Sequence, residues 1–204
     1  MRTHPLWRPF ALADLAEVAQ ARVGAPPPRL VTVVPYDPAW PEAYEQVAAR
    51  VRSALGDAVL TLEHVGSTAV PGLAAKAVVD VDLTVADPAD EASWLPPLER
   101  AGFVLRVREP GWDEHRVLTL ESPVTNLHVW PPGAPEPARH VLFRDWLRRD
   151  AVDREAYAAL KLALGRRGFT DGMDYNNHKA ALVYDVYERA FAADPAHPHD
   201  PHPR

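Results

Sequence analysis

Residues 64–83 read HVGSTAVPGLAAKAVVDVDL and form the most informative segment of the sequence. A β-branched segment leads into Gly66 and Ser67, and after twelve further residues the chain alternates as DVDL (80–83). A strand, a glycine-containing turn and a second strand with alternating charge indicate a sheet that presents polar groups beside a turn.

Asp80 and Asp82 are predicted to share one face of a strand over residues 77–85, because successive strand side chains point to opposite faces. The intervening apolar residues then face the core. Two neighbouring carboxylates repel each other, and a divalent cation between them relieves this, since carboxylate oxygens are natural Mg²⁺ ligands. We therefore predict a metal site for Mg²⁺ or Mn²⁺ here; the alternative is a solvent-facing edge strand.

Gly66 and Ser67 are predicted to bind phosphate. The turn supplies free backbone N–H groups and a hydroxyl, and glycine permits close approach of a ligand. Phosphates beside a carboxylate-held metal are the parts that phosphoryl or nucleotidyl transfer requires. The alternative is an ordinary turn without a ligand.

Composition narrows the class of protein. The chain has 204 residues, 47% of them hydrophobic, which fits one globular domain. The absence of cysteine excludes disulfides, thiolate metal sites and a cysteine nucleophile. A net charge of −6 argues against an extended nucleic-acid-binding face. Three lysines accompany nineteen arginines, which we attribute to composition bias.

No membrane span or secretory signal is expected. No stretch approaches the roughly 20 apolar residues that a spanning helix needs, and the N-terminus carries acidic residues at Asp14 and Glu17. We therefore expect a cytoplasmic protein that does not bind membranes.

The patterns predict strands first and helices last, which favours an α+β domain. Strands are expected over 30–34, 59–64, 77–85, 103–107, 115–121 and 126–130, the last two forming a hairpin. Helices are expected over 10–22, 39–55, 91–101, 138–149, 152–166 and 177–193.

These elements suggest three segments. Residues 1–29 form an N-terminal helical extension and a linker at Pro26–Pro28, residues 30–193 form the domain, and residues 194–204 form a disordered tail. The tail has no apolar periodicity. Its histidines resemble a weak metal-binding tract, with disorder as the alternative.

The Gly-Ser turn followed by Asp-x-Asp resembles the signature of the DNA polymerase β-like nucleotidyltransferase superfamily. More closely, the chain resembles the GrpB family in five stretches: PYDPAWPEAYEQ (35–46), EHVGSTAVPGLAAKAVVDVDL (63–83), NLHVW (126–130), HVLFRDWLR (140–148) and YAALKLAL (157–164). The resemblance covers roughly residues 31–191.

This resemblance implies a nucleotidyltransferase-like mixed β-sheet with flanking helices and a C-terminal helical cap. It also implies a metal-dependent enzyme that moves a nucleotidyl group from a nucleoside triphosphate to a small-molecule acceptor of unknown identity. In some bacteria a GrpB domain is joined to dephospho-CoA kinase; this chain has no G-x-x-x-x-G-K-[ST] motif, so no such kinase activity is expected.

The chain departs from the superfamily at the third carboxylate, whose position falls in NLHVW and is occupied by His128. His128 is a candidate metal ligand, general base or phosphate donor, or a half-buried strand residue. Loop acids Asp113 and Glu114 are candidates for the missing ligand, with a solvated loop as the alternative.

Five further residues are candidates for the same site. His64 precedes the turn and is a candidate catalytic group, or packs across strands. Lys76, Lys161 and Lys179 are candidate phosphate ligands, and the alternative for Lys76 is an exposed lysine at a helix end. Arg144 is also a candidate phosphate ligand, or forms a structural salt bridge with Asp145 or Glu155.

Two rival functions use the same fold. The missing carboxylate favours a module that binds a nucleotide or phosphorylated metabolite without turnover. An interaction protein would use the helical cap or the N-terminal helix to bind a protein partner, and would bind neither metal nor nucleotide.

Overall fold

A five-stranded mixed sheet forms the centre of the protein in a computed structural model that describes residues 1–24 and 30–204. The strands, in sheet order β1-β2-β5-β4-β3, are β1 (Thr61–Val65), β2 (Val79–Thr84), β3 (Val104–Glu109), β4 (His115–Glu121) and β5 (Val124–Trp130). β2 and β5 run parallel, and the other neighbouring pairs are antiparallel. The predicted α+β class and the hairpin between β4 and β5 are confirmed.

Helices flank the sheet as expected. They are α1 (Leu15–Ala21), α2 (Trp40–Leu55), α3 (Glu91–Arg100), α4 (Pro135–Arg149), α5 (Ala151–Gly165), α6 (Gly172–Asn177) and α7 (Ala180–Ala192). α1 begins later than predicted because the Asp14 side chain caps it by accepting from the N–H groups of Ala16 and Glu17. α6 was not predicted, since six residues are too few to show helical periodicity.

One face of the sheet carries the main core. Val79, Val81 and Leu83 of β2 pack there with apolar residues of α2 and α3, among them Val47 and Trp94. The predicted inward direction of the β2 apolar residues is confirmed, and it follows from strand alternation.

The opposite face carries the aspartates and lies beneath the C-terminal helices. A second apolar cluster joins Leu147 of α4, Tyr157 of α5 and Val186 of α7 to Val70 and Leu73, which lie between β1 and β2. These helices form the predicted C-terminal cap, and their polar side chains reach the same sheet face.

The termini are held together, where the sequence predicts a disordered tail. His199 is buried and hydrogen-bonds Glu188 of α7, with an Nε2–Oε2 distance of 2.9 Å. Asp200 pairs with Arg2 at 2.7 Å. The tail contributes polar side chains and imidazole rings, which also pack on Phe191 and Trp7, so its lack of apolar periodicity gave no sign of these contacts.

Two other expectations concern the N-terminal third. The strand predicted over residues 30–34 is reduced to an isolated bridge between Val34 and Ala75. The linker prediction at Pro26–Pro28 lies outside the described residues. Across the described part of the chain, no helix has the length and apolar character needed to cross a membrane.

Candidate functional site

A cavity of about 250 Å³ lies between the β1–β2 connection, the polar sheet face and the helical cap. Seven predicted site residues line it: Gly66, Ser67, Lys76, Asp80, His128, Lys161 and Lys179. Three others, His64, Asp82 and Arg144, lie around it in other roles. Asn126, His140, Tyr157 and Tyr175 also line the cavity.

Glycine is required at position 66 because the backbone there lies close to the side chain of Asp80. Its φ is +67°, and a Cβ atom built on it would lie 2.5 Å from Oδ2 of Asp80. Any larger residue would collide with this carboxylate and would also adopt a strained backbone. The turn and the first aspartate are thus fitted to each other.

Asp80 faces the cavity, as predicted. Its Oδ1 accepts a hydrogen bond of 2.9 Å from Nδ2 of Asn126, its partner in the parallel register between β2 and β5. The amide orients the carboxylate without neutralising its charge.

Asp82 lies on the same face but is sealed beneath α4. It is 2% exposed; Oδ1 accepts from Nε1 of Trp130 at 3.1 Å, and Oδ2 contacts Nδ1 of His140 at 2.8 Å. Burial alone would raise the pKa of Asp82, but the hydrogen bond and charge of His140 lower it below its usual value. The expectation that both carboxylates open to the cleft is correct for Asp80 and wrong for Asp82.

The pKa of His140 is shifted in the opposite direction to that of Asp82. Burial alone would lower its pKa, but the hydrogen bond to Asp82 and the charge of that carboxylate raise it. No local sequence pattern points to His140, because it lies 58 residues from Asp82 and only the folded cap brings the two together.

His64 belongs to the other side of the sheet. Its ring stacks on Tyr44 of α2 with centroids 4.7 Å apart, and Nε2 lies 3.0 Å from Oγ1 of Thr68. Burial lowers its pKa to about 4. The expectation that His64 faces the pocket is therefore corrected in favour of packing, because its neighbour in the register is the core residue Val81.

Arg144 joins α4 to β1 rather than lining the cavity. Its guanidinium contacts Asp145 at 2.8 Å, Glu63 at 2.9 Å and the backbone carbonyl of His64 at 2.9 Å. The structural alternative, a salt bridge to Asp145, is confirmed.

His128 ends a chain of hydrogen bonds that starts at a carboxylate. Oε2 of Glu109 contacts Nδ1 of His115 at 2.7 Å, and Nε2 of His115 contacts Nδ1 of His128 at 3.0 Å. The Glu109 carboxylate accepts a hydrogen bond from the Nδ1–H of His115, so Nε2 of His115 accepts one from the Nδ1–H of His128, and Nε2 of His128 is left unprotonated. Burial, followed by the charge of His115, lowers the pKa of His128 to about 4.

The loop acids do not replace a missing ligand. Asp113 lies 3.7 Å from Arg8, and Glu114 lies 3.2 Å from Arg116. Neither lines the cavity.

All three lysines of the chain line this cavity, although they come from three separate segments: Lys76, Lys161 and Lys179. Nζ of Lys161 lies 2.8 Å from Oγ of Ser67 and 4.4 Å from the centroid of the Tyr157 ring. Nζ of Lys179 lies 4.5 Å from the centroid of the Tyr175 ring. Their scarcity among nineteen arginines, attributed above to composition, was the signal that could have located the site.

Burial is the largest of the effects that lower the pKa values of the three lysines. Burial lowers the pKa of Lys161 to about 6, with help from the charges of Lys179 and Lys76. It lowers that of Lys179 to about 8, and it also lowers that of Lys76, while Asp80 opposes all three effects. Three amines facing one open carboxylate form a site for an anion.

The same groups do not fit the predicted two-aspartate metal site. Mg²⁺ is bound by oxygen ligands in near-octahedral geometry. Both oxygens of Asp82 are already hydrogen-bonded, so among the described residues lining the cavity Asp80 is the one carboxylate. The nearby lysines supply the positive charge that a cation would bring.

A separate group of histidines joins the termini, in two clusters: His4, Asp194 and His197; and Glu188, His199 and His202. Nδ1 of His4 accepts from the N–H of Leu6, and Nδ1 of His199 accepts from the N–H of His4. These rings therefore carry their proton on Nε2, which faces Asp194 or Glu188. A metal would need that nitrogen unprotonated, so the clusters fit hydrogen bonding rather than metal binding.

Comparison with known proteins places the chain in a family. The family model described as GrpB protein matches residues 30–189. A UPF0157 protein of Halalkalibacterium halodurans is 44% identical over 162 residues, which cover 79% of this chain and 83% of that protein. A dephospho-CoA kinase of Mycobacterium tuberculosis is 31% identical over 96% of this chain, which spans 54% of the kinase.

A solved structure agrees with these relatives. The crystal structure of conserved protein GrpB from Enterococcus faecalis superimposes with a TM-score of 0.68 at 29% identity, covering 78% of this chain and 96% of that chain. With a family model spanning most of its length and a close sequence relative, the chain belongs to the GrpB family.

Proposed function

We propose that the cavity binds the phosphate groups of a nucleotide or another phosphorylated metabolite. The observation that carries this proposal is the convergence of Lys76, Lys161 and Lys179 beside Ser67. Ammonium groups and a hydroxyl are donors to phosphate oxygens. A bound anion would also relieve the mutual repulsion of the lysines, which gives the ligand a differential affinity for the folded state.

The size of the cavity supports a ligand that inserts its phosphates. Pockets for drug-sized ligands measure about 300–1,000 Å³, and this cavity measures about 250 Å³. A phosphate chain fits such a volume, whereas the remainder of a larger ligand would extend toward the opening.

Nucleotidyl transfer is a second candidate, favoured by the position of His128. Its unprotonated Nε2 would accept the proton of an attacking hydroxyl or amine, while the lysines hold the phosphates of a nucleoside triphosphate. Asp80 would hold a Mg²⁺ or Mn²⁺ ion brought by the nucleotide, and such an ion would supply charge neutralisation at the phosphates. The name of the kinase relatives belongs to those proteins; without the P-loop motif, we do not extend kinase activity to this chain.

Calorimetric titration of tripolyphosphate and ATP, in EDTA and again in Mg²⁺, tests the proposal. We expect Lys76→Met and Lys179→Met each to weaken binding about tenfold or more, the effect of one lost charge-assisted hydrogen bond of about 1.5–3 kcal/mol. Arg100→Met is the matched control, because it removes one positive charge from α3 on the opposite side of the sheet.

The outcomes separate the candidates. Equal affinities in all four proteins would contradict phosphate binding at this cavity. Release of pyrophosphate from ATP would support nucleotidyl transfer, whereas binding without pyrophosphate would support a module without turnover. Because Lys179 loses its charge above its pKa of about 8, we also expect the wild-type affinity to fall as the pH rises beyond that value.

A further inference from the structure

Lys161 differs from the two lysines beside it in how completely it is enclosed. It is 2% exposed and lies on α5, where Nζ contacts Oγ of Ser67 at 2.8 Å and sits over the ring of Tyr157. In the described part of the chain its nitrogen has no carboxylate in ion-pair contact. A charged ammonium in this position is poorly compensated.

The groups that face Lys161 favour its neutral form. Lys179, which precedes α7, and Lys76, from the loop before β2, both repel a charge on Lys161. Asp80 on β2 attracts it, but more weakly than burial and Lys179 together oppose it, and the result is a pKa of about 6. A lysine that is desolvated and placed next to other cations is a nucleophile near neutral pH.

The choice of lysine itself supports this interpretation. A purely electrostatic phosphate site can be built from arginine, which binds phosphate oxygens with two parallel hydrogen bonds. This chain contains nineteen arginines and three lysines, and all three lysines line this cavity. Lysine can lose its proton and form a covalent bond to carbon, which arginine at a pKa above about 12 does not.

We propose that Lys161 captures the carbonyl group of a phosphorylated aldehyde or ketone as a Schiff base. Lys76 and Lys179 hold the phosphate of this compound, so the inference rests on the phosphate site proposed above and specifies the class of ligand. The phosphate of the ligand would be recognised by its charge, and the carbonyl group by its covalent reaction with Lys161.

The step conserves atoms and charge. The lone pair of the Lys161 nitrogen attacks the carbonyl carbon, the carbonyl oxygen gains a proton, and the nitrogen loses one, which gives a carbinolamine. The carbinolamine then loses water as its C–O bond breaks, and a C=N bond forms. No oxidant or reductant takes part. Burial raises the pKa of Tyr157 to about 12, so its hydroxyl remains protonated and can donate to the carbonyl oxygen.

Borohydride trapping tests the proposal with pyridoxal 5′-phosphate as the probe and pyridoxal as its phosphate-free counterpart. The chain has three lysines and one α-amino group, so mass spectrometry of peptides assigns every adduct. At about pH 7 an amine with a pKa near 6 is mostly neutral and one near 8 mostly charged, so we expect Lys161 to react about tenfold faster than Lys179. Tripolyphosphate should slow the reaction, and pyridoxal should react far more slowly than its phosphate.

The possible results distinguish the Schiff base from phosphate binding alone. An adduct on Lys161 that depends on the phosphate of the probe supports both proposals. Binding of the probe in competition with tripolyphosphate, without an adduct on Lys161, overturns the Schiff base and leaves phosphate binding intact. Equal rates for pyridoxal and its phosphate overturn the phosphate requirement. Lys161→Arg should abolish the main adduct, while Arg100→Met, the charge control on α3, should retain it. If a variant fails to fold, the peptide map of the wild type still shows which lysine carries the adduct.

Discussion

Asp80 and Asp82 lie two residues apart on the same face of β2, and the protein uses them in opposite ways. Asp80 lines a cavity with three lysines, while Asp82 is 2% exposed and holds Trp130 and His140. Strand alternation fixes the face on which a side chain lies, but the elements that cover that face decide what the side chain does. Here Asp80, at the N-terminal end of the strand, faces the cavity, and Asp82, two residues further on, is covered by α4.

The two environments also differ in the balance of charge. Around Asp82 a carboxylate and an imidazole compensate each other, and their hydrogen bond is 2.8 Å long. Around Asp80 the lysines outnumber the carboxylate, and burial lowers their pKa values. The first arrangement stabilises the fold, whereas the second destabilises it through desolvation and mutual repulsion of the amines.

The largest expected effect is on stability at Asp82. We expect Asp82→Ala to lower the free energy of unfolding by about 3–5 kcal/mol, because it leaves His140 and Trp130 without their buried partner. Asp80→Ala should cost less than half as much, since it removes one hydrogen bond from Asn126. Urea denaturation of both variants measures the difference, and equal losses would remove the distinction between the two aspartates.

The second effect should be a gain in stability on the pocket side. We expect Lys161→Met to raise the free energy of unfolding by about 1–2 kcal/mol near pH 7, because it removes the cost of burying an amine. The lysine is neutral when folded above about pH 6, and charged when unfolded below 10.5. The stability of the wild type should therefore rise with pH across this window, and the advantage of the variant should shrink.

Lys161→Met and Arg166→Met form a matched pair on either side of the end of α5, since Arg166 is exposed. A loss of stability in Lys161→Met, or an advantage that grows with pH, would contradict the assignment of a neutral buried amine.

The smallest expected effect is the pH dependence of the stability that the pair of Asp82 and His140 contributes. The pKa of His140 is raised from its ordinary 6.5, so its contribution is complete below 6.5 and is lost as pH rises through the raised value. The pKa of Asp82 is lowered from 3.8, so its contribution is complete above 3.8 and is lost at lower pH. The stability difference between wild type and His140→Gln should be largest between about pH 4 and 6.5; a difference that increases above pH 7 would contradict the pairing.

Much of the fold could be predicted because its signals are local. The alternation of β2, the Gly66 turn and the periodicity of α2 each lie within one stretch of chain. The burial of Asp82 beneath α4 could not be predicted. Its partner His140 lies 58 residues later in the chain, and only the packing of the helical cap brings the two side chains together. His64 was misassigned because its face depends on the register between β1 and β2, which pairs it with the core residue Val81 and is not visible in either strand alone.

The lysines show where sequence evidence was present but attributed to another cause. Lys76, Lys161 and Lys179 were each considered singly as candidate phosphate ligands, because they lie on three separate segments. Considered together, three lysines in an arginine-rich chain are a pattern, although their convergence depends on contacts between residues as far apart as Ser67 and Lys161.

The most direct test is the affinity of Asp80→Asn for tripolyphosphate in the absence of divalent cations. The phosphate-binding account predicts that the wild type binds in EDTA and that the variant binds about three- to tenfold more tightly, since one negative charge has been removed beside the ligand. Asp57→Asn, an exposed change in the turn after α2, should leave the affinity unchanged. Binding that requires Mg²⁺ and is abolished in Asp80→Asn would contradict the account and restore a metal site at this carboxylate.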